Sequence, residues 1–436
     1  MLSDVRRGAG LMVMFFLLTS CGGLSLGQAT ATPTMPPTAT IPATPIPATA
    51  TIAPPATATV APLPATLQVR LIQSDNNSPQ PLIDVLTQTA ALQQLPITVD
   101  ARSPDGTYAL ASTTATADRV DVWIGSEYDL QQLIKLGVVA ANAPAIAVDH
   151  YALYDRAIAN NAKYMVMPVA ARNYLVSISN SDLLASIPDT TADVMSINNL
   201  ITGRVRYKMA FSWADGRWFQ MLLNQLGASA VLTDTGSILP DEMALTALQS
   251  LVDLRTLGPR DATTYVEATT DFVNWRVPFT IDGDAAIRRY ERHPDQLTVH
   301  FAPAPLYSAT GQRLLPPVDV VYAIIPQAIP SERQAQVIQL IQALQAVPAQ
   351  TELVRTMRWV PLNRGVASSG ALSDDALFAV LAPQIDSMTP QFYDDVTICR
   401  WDAYEAVLPM VLLRDIPLQN GIDAINNGLR KCLIVP

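Results

Sequence analysis

The sequence predicts an α/β protein of two lobes, and three observations carry that expectation. From Thr66 the chain alternates short apolar strands with helical spacings, in the order strand, helix, strand, strand, helix. That order fits a largely parallel sheet. The middle of the chain is richer in helix, and strands then return. A length of 436 residues is enough for two domains of ordinary size.

The elements start only after a long preamble. Arg6 and Arg7 form a basic head, and Leu11 to Leu18 is an apolar core of about eight residues. A bilayer-spanning helix needs ~20 apolar residues, so residues 1–20 read as an export signal. Leu18-Thr19-Ser20-Cys21 resembles a bacterial lipobox, which implies that Cys21 carries lipid and becomes the new N-terminus. An ordinary cleaved signal is the alternative. Residues 21–65 then form the linker. From Ala29 to Leu67 there is no charge, Gly or aromatic residue, and Pro recurs every few positions. Each Pro fixes φ and removes a donor, which excludes helix and sheet and favours extended polyproline II.

The folded elements follow in order. Leu67–Ile72 alternates as a strand, Pro81–Leu95 has helical spacing, Ile97–Ala101 is a second strand and Asp118–Ile124 a third. Leu130–Leu136 is helical and stops at Gly137. Trp218–Leu226 and Asp241–Leu257 are helices ending at Gly227 and Gly258, the second with Asp241 and Glu242 at its positive end. Strands are expected at Phe279–Asp282, Leu297–Ala302 and Val318–Ile325. A helix over Ser331–Val347 is expected to close at Pro348.

Charge and cysteines narrow the function classes. The 28 Lys and Arg against 38 Asp and Glu give −10, and removing residues 1–20, with two Arg and one Asp, makes it −11. No basic stripe is present, so nucleic acid is not an expected partner. With Cys21 committed to lipid, Cys399 and Cys432 remain. An exported chain with an even remainder is expected to form one disulfide, two free buried thiols being the alternative.

Five stretches, in collinear order, carry a resemblance: VDVWIGSEYDLQQLIKLGVV, YMVMPVAARNYLVSISNSDLL, TTDFVNWRVPFTIDGDAAIRRYE, LTVHFAPAPLYSATGQRLLPPVDVVYAI and YEAVLPMVLLRDIPLQNGIDAINNGL. Together they resemble the extracytoplasmic solute-binding proteins of ABC importers, in the sugar-binding branch that includes maltose-binding proteins. The resemblance covers nearly the whole chain from Thr66. It implies a two-lobed periplasmic-binding-protein type II-like fold, with a hinge and a ligand cleft between lobes. The implied lobes are residues 66–171 plus 318–365, and 172–317 plus 366–436.

The same resemblance places candidate ligand residues. Ser126, Glu127 and Tyr128 occupy the turn after the third strand. Arg172, Asn173 and Tyr174 fall just past the first hinge crossing, where Arg172 is placed to meet a facing carboxylate or an acidic ligand. Trp218 lies near a helix start, Asp284 in a loop after Gly283, and Trp401 in the C-terminal helices, where aromatic faces stack on sugar rings. Trp123, Trp275 and Trp359 read as packing aromatics, and Trp218 and Trp401 read equally well as helix-packing residues. Ala285 stands where the sugar-binding branch carries a stacking Trp, and Val273-Asn274-Trp275-Arg276 lacks the usual Gly.

Enzyme signatures are scarce. The sequence has no Gly-x-Ser-x-Gly, His-Glu-x-x-His, phosphate-binding Gly-x-x-x-x-Gly-Lys or Cys-x-x-Cys motif. Its three His are scattered, which gives a metal cluster weak support. Asp282-Gly283-Asp284, Asp374-Asp375 and Asp394-Asp395 supply carboxylates for a glycoside hydrolase, though such pairs more often mark turns and helix N-termini. The expectation is a monomeric, lipid-anchored, non-enzymatic receptor on the outer face of the membrane. It would need no cofactor or metal and would pass a saccharide-like solute to an ABC importer permease. A surface lipoprotein with a sensor or partner-binding role is the alternative.

Overall fold

The computed structural model describes residues 66–432, apart from 74–77, 112–118, 143, 198–204, 229–230, 234–235, 240, 262–263 and 293–296. The expected signal, Cys21 and the Pro-rich linker lie outside the described residues. Among the described residues the strands are β1 (Leu67–Ile72), β2 (Ile97–Arg102), β3 (Val122–Ser126), β4 (Val166–Arg172), β5 (Val176–Asn180), β6 (Val231–Thr233), β7 (Gly236–Ile238), β8 (Phe279–Asp282), β9 (Val299–Pro303), β10 (Leu306–Tyr307), β11 (Gln312–Arg313), β12 (Asp319–Ile324) and β13 (Val360–Pro361).

They build two principal sheets. The larger has the order β13-β4-β12-β3-β1-β2, with β1 parallel to both β2 and β3. β12 enters antiparallel to β3 and β4, because the chain returns to this sheet from the other lobe. Every residue of its DVVYAI run is buried, as a central strand covered on both faces requires. The smaller sheet has the order β8-β5-β9, with both pairings antiparallel. The strands β6 and β7 pair with each other, as do β10 and β11.

Helices complete each lobe. Gln80–Leu92, Ser331–Gln345 and Val347–Met357 pack around the larger sheet, where Leu67, Val69, Leu86, Val337, Leu340 and Leu353 share one core. Around the smaller sheet, the buried faces of Gly216–Gln225, Asp241–Arg255, Asp395–Leu412 and Leu418–Lys431 meet in a second core containing Phe219, Leu248, Tyr404 and Ile425. Cys399 and Cys432 are joined, with Cα atoms 5.5 Å apart, tying the two C-terminal helices together.

Several boundaries differ from the sequence expectation. The helix expected to end at Pro348 ends at Gln345, and Pro348 lies in the first turn of the next helix, Val347–Met357. A missing N–H is tolerated at that position, so this Pro opens a helix where it was expected to close one. The third strand starts at Val122, not Asp118. The helix Ala152–Asn161 was not anticipated.

The chain passes from the larger sheet to the smaller through Asn173–Leu175, a link of three residues between β4 and β5. It returns between β11 and β12. The last passage is less clean than a single cut after residue 365. Ala376–Leu381 packs on β9, whereas Ala382–Ser387 comes back against Ala152–Asn161, and Asp386 accepts from the Ala152 N–H over 2.8 Å.

Candidate ligand cleft

The parallel strands β1 and β3 direct their carboxyl ends at the junction between the lobes. In open α/β sheets that edge is where ligands sit. A cavity of about 60 Å³ lies there. Its walls include Ile72, Ile124, Gly125 and Ser126 from the strand ends, Ser78 and Pro79 from the start of a helix, and Arg172 from β4. Met357 and Trp359 close one side, and Arg288 reaches in from the helix Asp284–Tyr290 that follows β8. A Cβ at Gly125 would crowd its neighbours, coming to 3.0 Å from the Asp129 side chain and 3.2 Å from that of Ile72.

Ser126 is the last residue of β3 and the N-cap of Glu127–Lys135. Its Oγ and its N–H both donate to Asp129 Oδ2, over 2.6 and 2.7 Å. The box is reciprocal, because the Asp129 N–H donates to Ser126 Oγ over 3.3 Å. Glu127 points away from the cavity. It is 1% exposed and accepts from Gln131 Nε2 and Asn161 Nδ2 over 2.8 and 3.0 Å. Burial pushes its pKa up to about 7 against those hydrogen bonds. Tyr128 is partly exposed and meets the ring of Tyr393 edge-on, centroids 5.9 Å apart. The strand therefore runs directly into a helix where a turn was expected, and a helix start sends neighbouring side chains to different faces.

Arg172 is the last residue of β4, one position before the crossing. Its Nε donates to Asp319 Oδ2 over 2.9 Å, and the two residues are register partners of adjacent strands. Asn173 and Tyr174 make the crossing itself. Asn173 has φ of 62°, a left-handed conformation that Asn tolerates better than most residues. Its N–H donates to Asp284 Oδ1 over 2.8 Å. Tyr174 is 1% exposed and donates its hydroxyl proton to the Arg358 carbonyl over 2.8 Å. Asp284 opens a helix where a loop was expected, and its buried carboxyl is pushed above the usual range, partly offset by the Asn173 N–H.

The two candidate stacking tryptophans lie elsewhere. Trp218 is 1% exposed, in the smaller-sheet core, with its ring 4.7 Å from Phe211. A ring enclosed in that way offers no face to a solute in this conformation. Trp401 is partly buried against Tyr404 and Gly216 and lines neither cavity described here. The tryptophan that lines the first cavity is Trp359, which is 4% exposed and packs in the larger-sheet core, as a packing aromatic does.

A second cavity of about 130 Å³ is lined by Asn173, Tyr174, Arg217, Tyr265, Asp282 and Asp284. Asp282 is 2% exposed, and burial raises its pKa to about 7 although it accepts from the Gly283 N–H and the Tyr290 hydroxyl. The other paired carboxylates have structural roles: Asp375 caps a helix through the Phe378 N–H, and Asp394 caps one through the Thr397 N–H. Sequence reasoning missed Arg288 and Met357. The available signal was the position of Arg288 four residues after Asp284, on the same helix face.

Two α/β lobes joined by short crossings, with a cavity lined from both, define a two-lobed binding-protein fold of the periplasmic type. The chain belongs to the bacterial extracellular solute-binding proteins, whose family profile matches residues 91–380. Solved structures share the architecture at low identity. The maltose/maltodextrin-binding domain MalE from Bdellovibrio bacteriovorus bound to maltotriose superposes with a TM-score of 0.63 at 16% identity, covering 84% of this chain and 99% of that one. A cyclo/maltodextrin-binding protein complexed with maltotetraose gives 0.70 at 14% identity, over 86% and 98%. The maltose-maltodextrin binding protein of the thermoacidophilic bacterium Alicyclobacillus acidocaldarius gives 0.65 at 18%, over 84% and 100%. No curated protein matches the chain.

Proposed function

We propose that this chain is a lipid-anchored receptor that closes on a carbohydrate-like solute between its lobes and passes it to an ABC importer permease. The observation that carries the reading is the cavity at the carboxyl ends of β1 and β3, with Ser126 and Arg172 on one side and Arg288 on the other. Such a site binds by burial and hydrogen bonding, with no covalent step. Family membership and the maltotriose- and maltotetraose-bound neighbours support a saccharide. Cys21 would hold the protein at the membrane and the Pro-rich linker would let it reach the permease. The moving halves would be 66–171 with 318–365, and 172–317 with 366–436.

Hinge opening is part of the proposal, because about 60 Å³ is only about two water volumes and far short of an oligosaccharide. Thermal unfolding of the whole chain against mono- and oligosaccharides, polyols, amino acids and polyamines tests it. Ligand at ~100 times its dissociation constant should add about 2.7 kcal/mol, a shift of a few degrees. A panel in which no saccharide moves the midpoint would sink the reading and favour a partner-binding lipoprotein.

A further inference from the structure

Arg288 stands out among the charged groups of the cleft. Among the described residues it has no ion-pair partner. Its Nη1 faces the Met357 sulfur at 3.9 Å, and its Nε is buried without a hydrogen-bond partner. A guanidinium sheltered in this way is costly unless an anion meets it. Among the described residues that line it, the cavity holds a second guanidinium, Arg172, and no carboxylate. It also takes in Ser78 and Pro79 at the positive end of the 13-residue helix Gln80–Leu92, whose first turn has no acidic residue.

Three nearby carboxylates among the described residues have hydrogen-bond partners of their own, although Asp284 also feels the Arg288 charge. Asp319 holds the Arg172 Nε, Asp129 closes the box with Ser126, and Asp284 accepts from the Asn173 N–H. That leaves the planar fork of the Arg288 guanidinium on the cavity wall with no hydrogen-bonded carboxylate among the described residues. That fork matches a single carboxylate in bidentate geometry. A phosphate dianion would want a second uncompensated cation, and Arg172 already shares its charge with Asp319.

We infer that the cleft selects a solute bearing one carboxylate, a sugar acid of the uronate type, with the carboxylate on Arg288 and the ring toward Trp359. This rests on the saccharide-receptor reading and names its substrate class. The chemistry is binding alone.

The test is calorimetric titration of the whole chain with glucuronate, glucose, glucose phosphate and maltotriose, in wild type and in Arg288→Met and Arg288→Lys. Glucuronate should bind at least about tenfold more tightly than glucose and weaken as salt rises. Arg288→Met should erase the difference, and Arg288→Lys should keep part of it. Unliganded melting midpoints within a few degrees of wild type would show that the variants fold. Equal affinity for glucose and glucuronate, unchanged in Arg288→Met, would overturn the inference and leave the saccharide receptor standing. Preference for the phosphate would overturn the carboxylate assignment. Binding by none of the four would overturn the inference, and with it the saccharide reading if the wider sugar panel is also silent.

Discussion

The Asn173 N–H donates to Asp284 Oδ1 over 2.8 Å, so the left-handed residue of the first crossing is bonded to the first residue of the helix that carries Arg288. The crossing and the cleft wall are thereby one unit. Replacing Asp284 with Ala leaves a half-buried N–H without its acceptor and should cost about 1–3 kcal/mol. Asn173→Gly should be close to neutral, since Gly adopts positive φ freely, whereas Asn173→Val should cost about 1–3 kcal/mol through strain. Urea unfolding of the three variants checks the order.

Two buried carboxyls set a pH dependence. Glu127 and Asp282 both have pKa values raised to about 7, from ordinary values of 4.5 and 3.8. Between those limits the folded protein holds protons that the unfolded chain has released. Stability therefore falls as pH rises through that window and levels off above about 7. The loss is on the order of a few kcal/mol for each group. Glu127→Gln and Asp282→Asn should each flatten part of the slope in chemical unfolding measured from pH 4 to 8. A slope unchanged in both variants would place these groups' ionisation outside the folding equilibrium.

Much of this fold was legible in short local patterns, the alternation of β1 and the apolar run of β12 among them. The strands β1, β2, β8 and β12 were placed within a residue or two. What escaped notice depends on contacts distant in sequence. Asp282-Gly283-Asp284 reads locally as a turn, yet Gly283 caps a helix whose first residue is held by Asn173. Gly283 itself is enforced by tertiary approach, since a Cβ there would lie 2.3 Å from the Tyr174 carbonyl oxygen. The cleft was legible in part: Ser126 and Arg172 line it, but Glu127 faces the interior of its own lobe. Arg288 and Trp359 belong to the cavity only once separate segments meet, and no local pattern announces that.

Trp218 and Trp401 should separate stability from affinity. Trp218 is enclosed by the smaller-sheet core, so Trp218→Ala should cost about 3–5 kcal/mol and lower the melting midpoint of the unliganded protein. Trp401 is partly exposed and its ring lies 3.0 Å from where a Gly216 Cβ would stand, so Gly216→Ala would displace it. Trp401→Ala should therefore cost less than Trp218→Ala. Paired unliganded melts and solute titrations distinguish the two roles. A Trp218→Ala protein of wild-type stability would contradict its enclosure.

Arg358 joins the two lobes between the cavity residues Met357 and Trp359. It follows the helix Val347–Met357 with φ of 58°, and its carbonyl accepts from the Tyr174 hydroxyl. Its guanidinium pairs with Glu291 and Asp375, each at 2.5 Å. Glu291 follows the helix Asp284–Tyr290 beside the smaller sheet, and Asp375 caps the helix packed on β9. These bonds link the two lobes, so on the hinge reading proposed above they would bias the cleft toward closure. Arg358→Met should shift the population toward an open form and raise the solute's dissociation constant in inverse proportion to the closed fraction that remains. Glu291→Gln should do the same more weakly, because Asp375 still holds the arginine. Small-angle scattering of the unliganded chain should report a larger radius of gyration for Arg358→Met than for wild type. An unchanged radius together with unchanged affinity would mean that lobe packing, and not this arginine, holds the cleft shut.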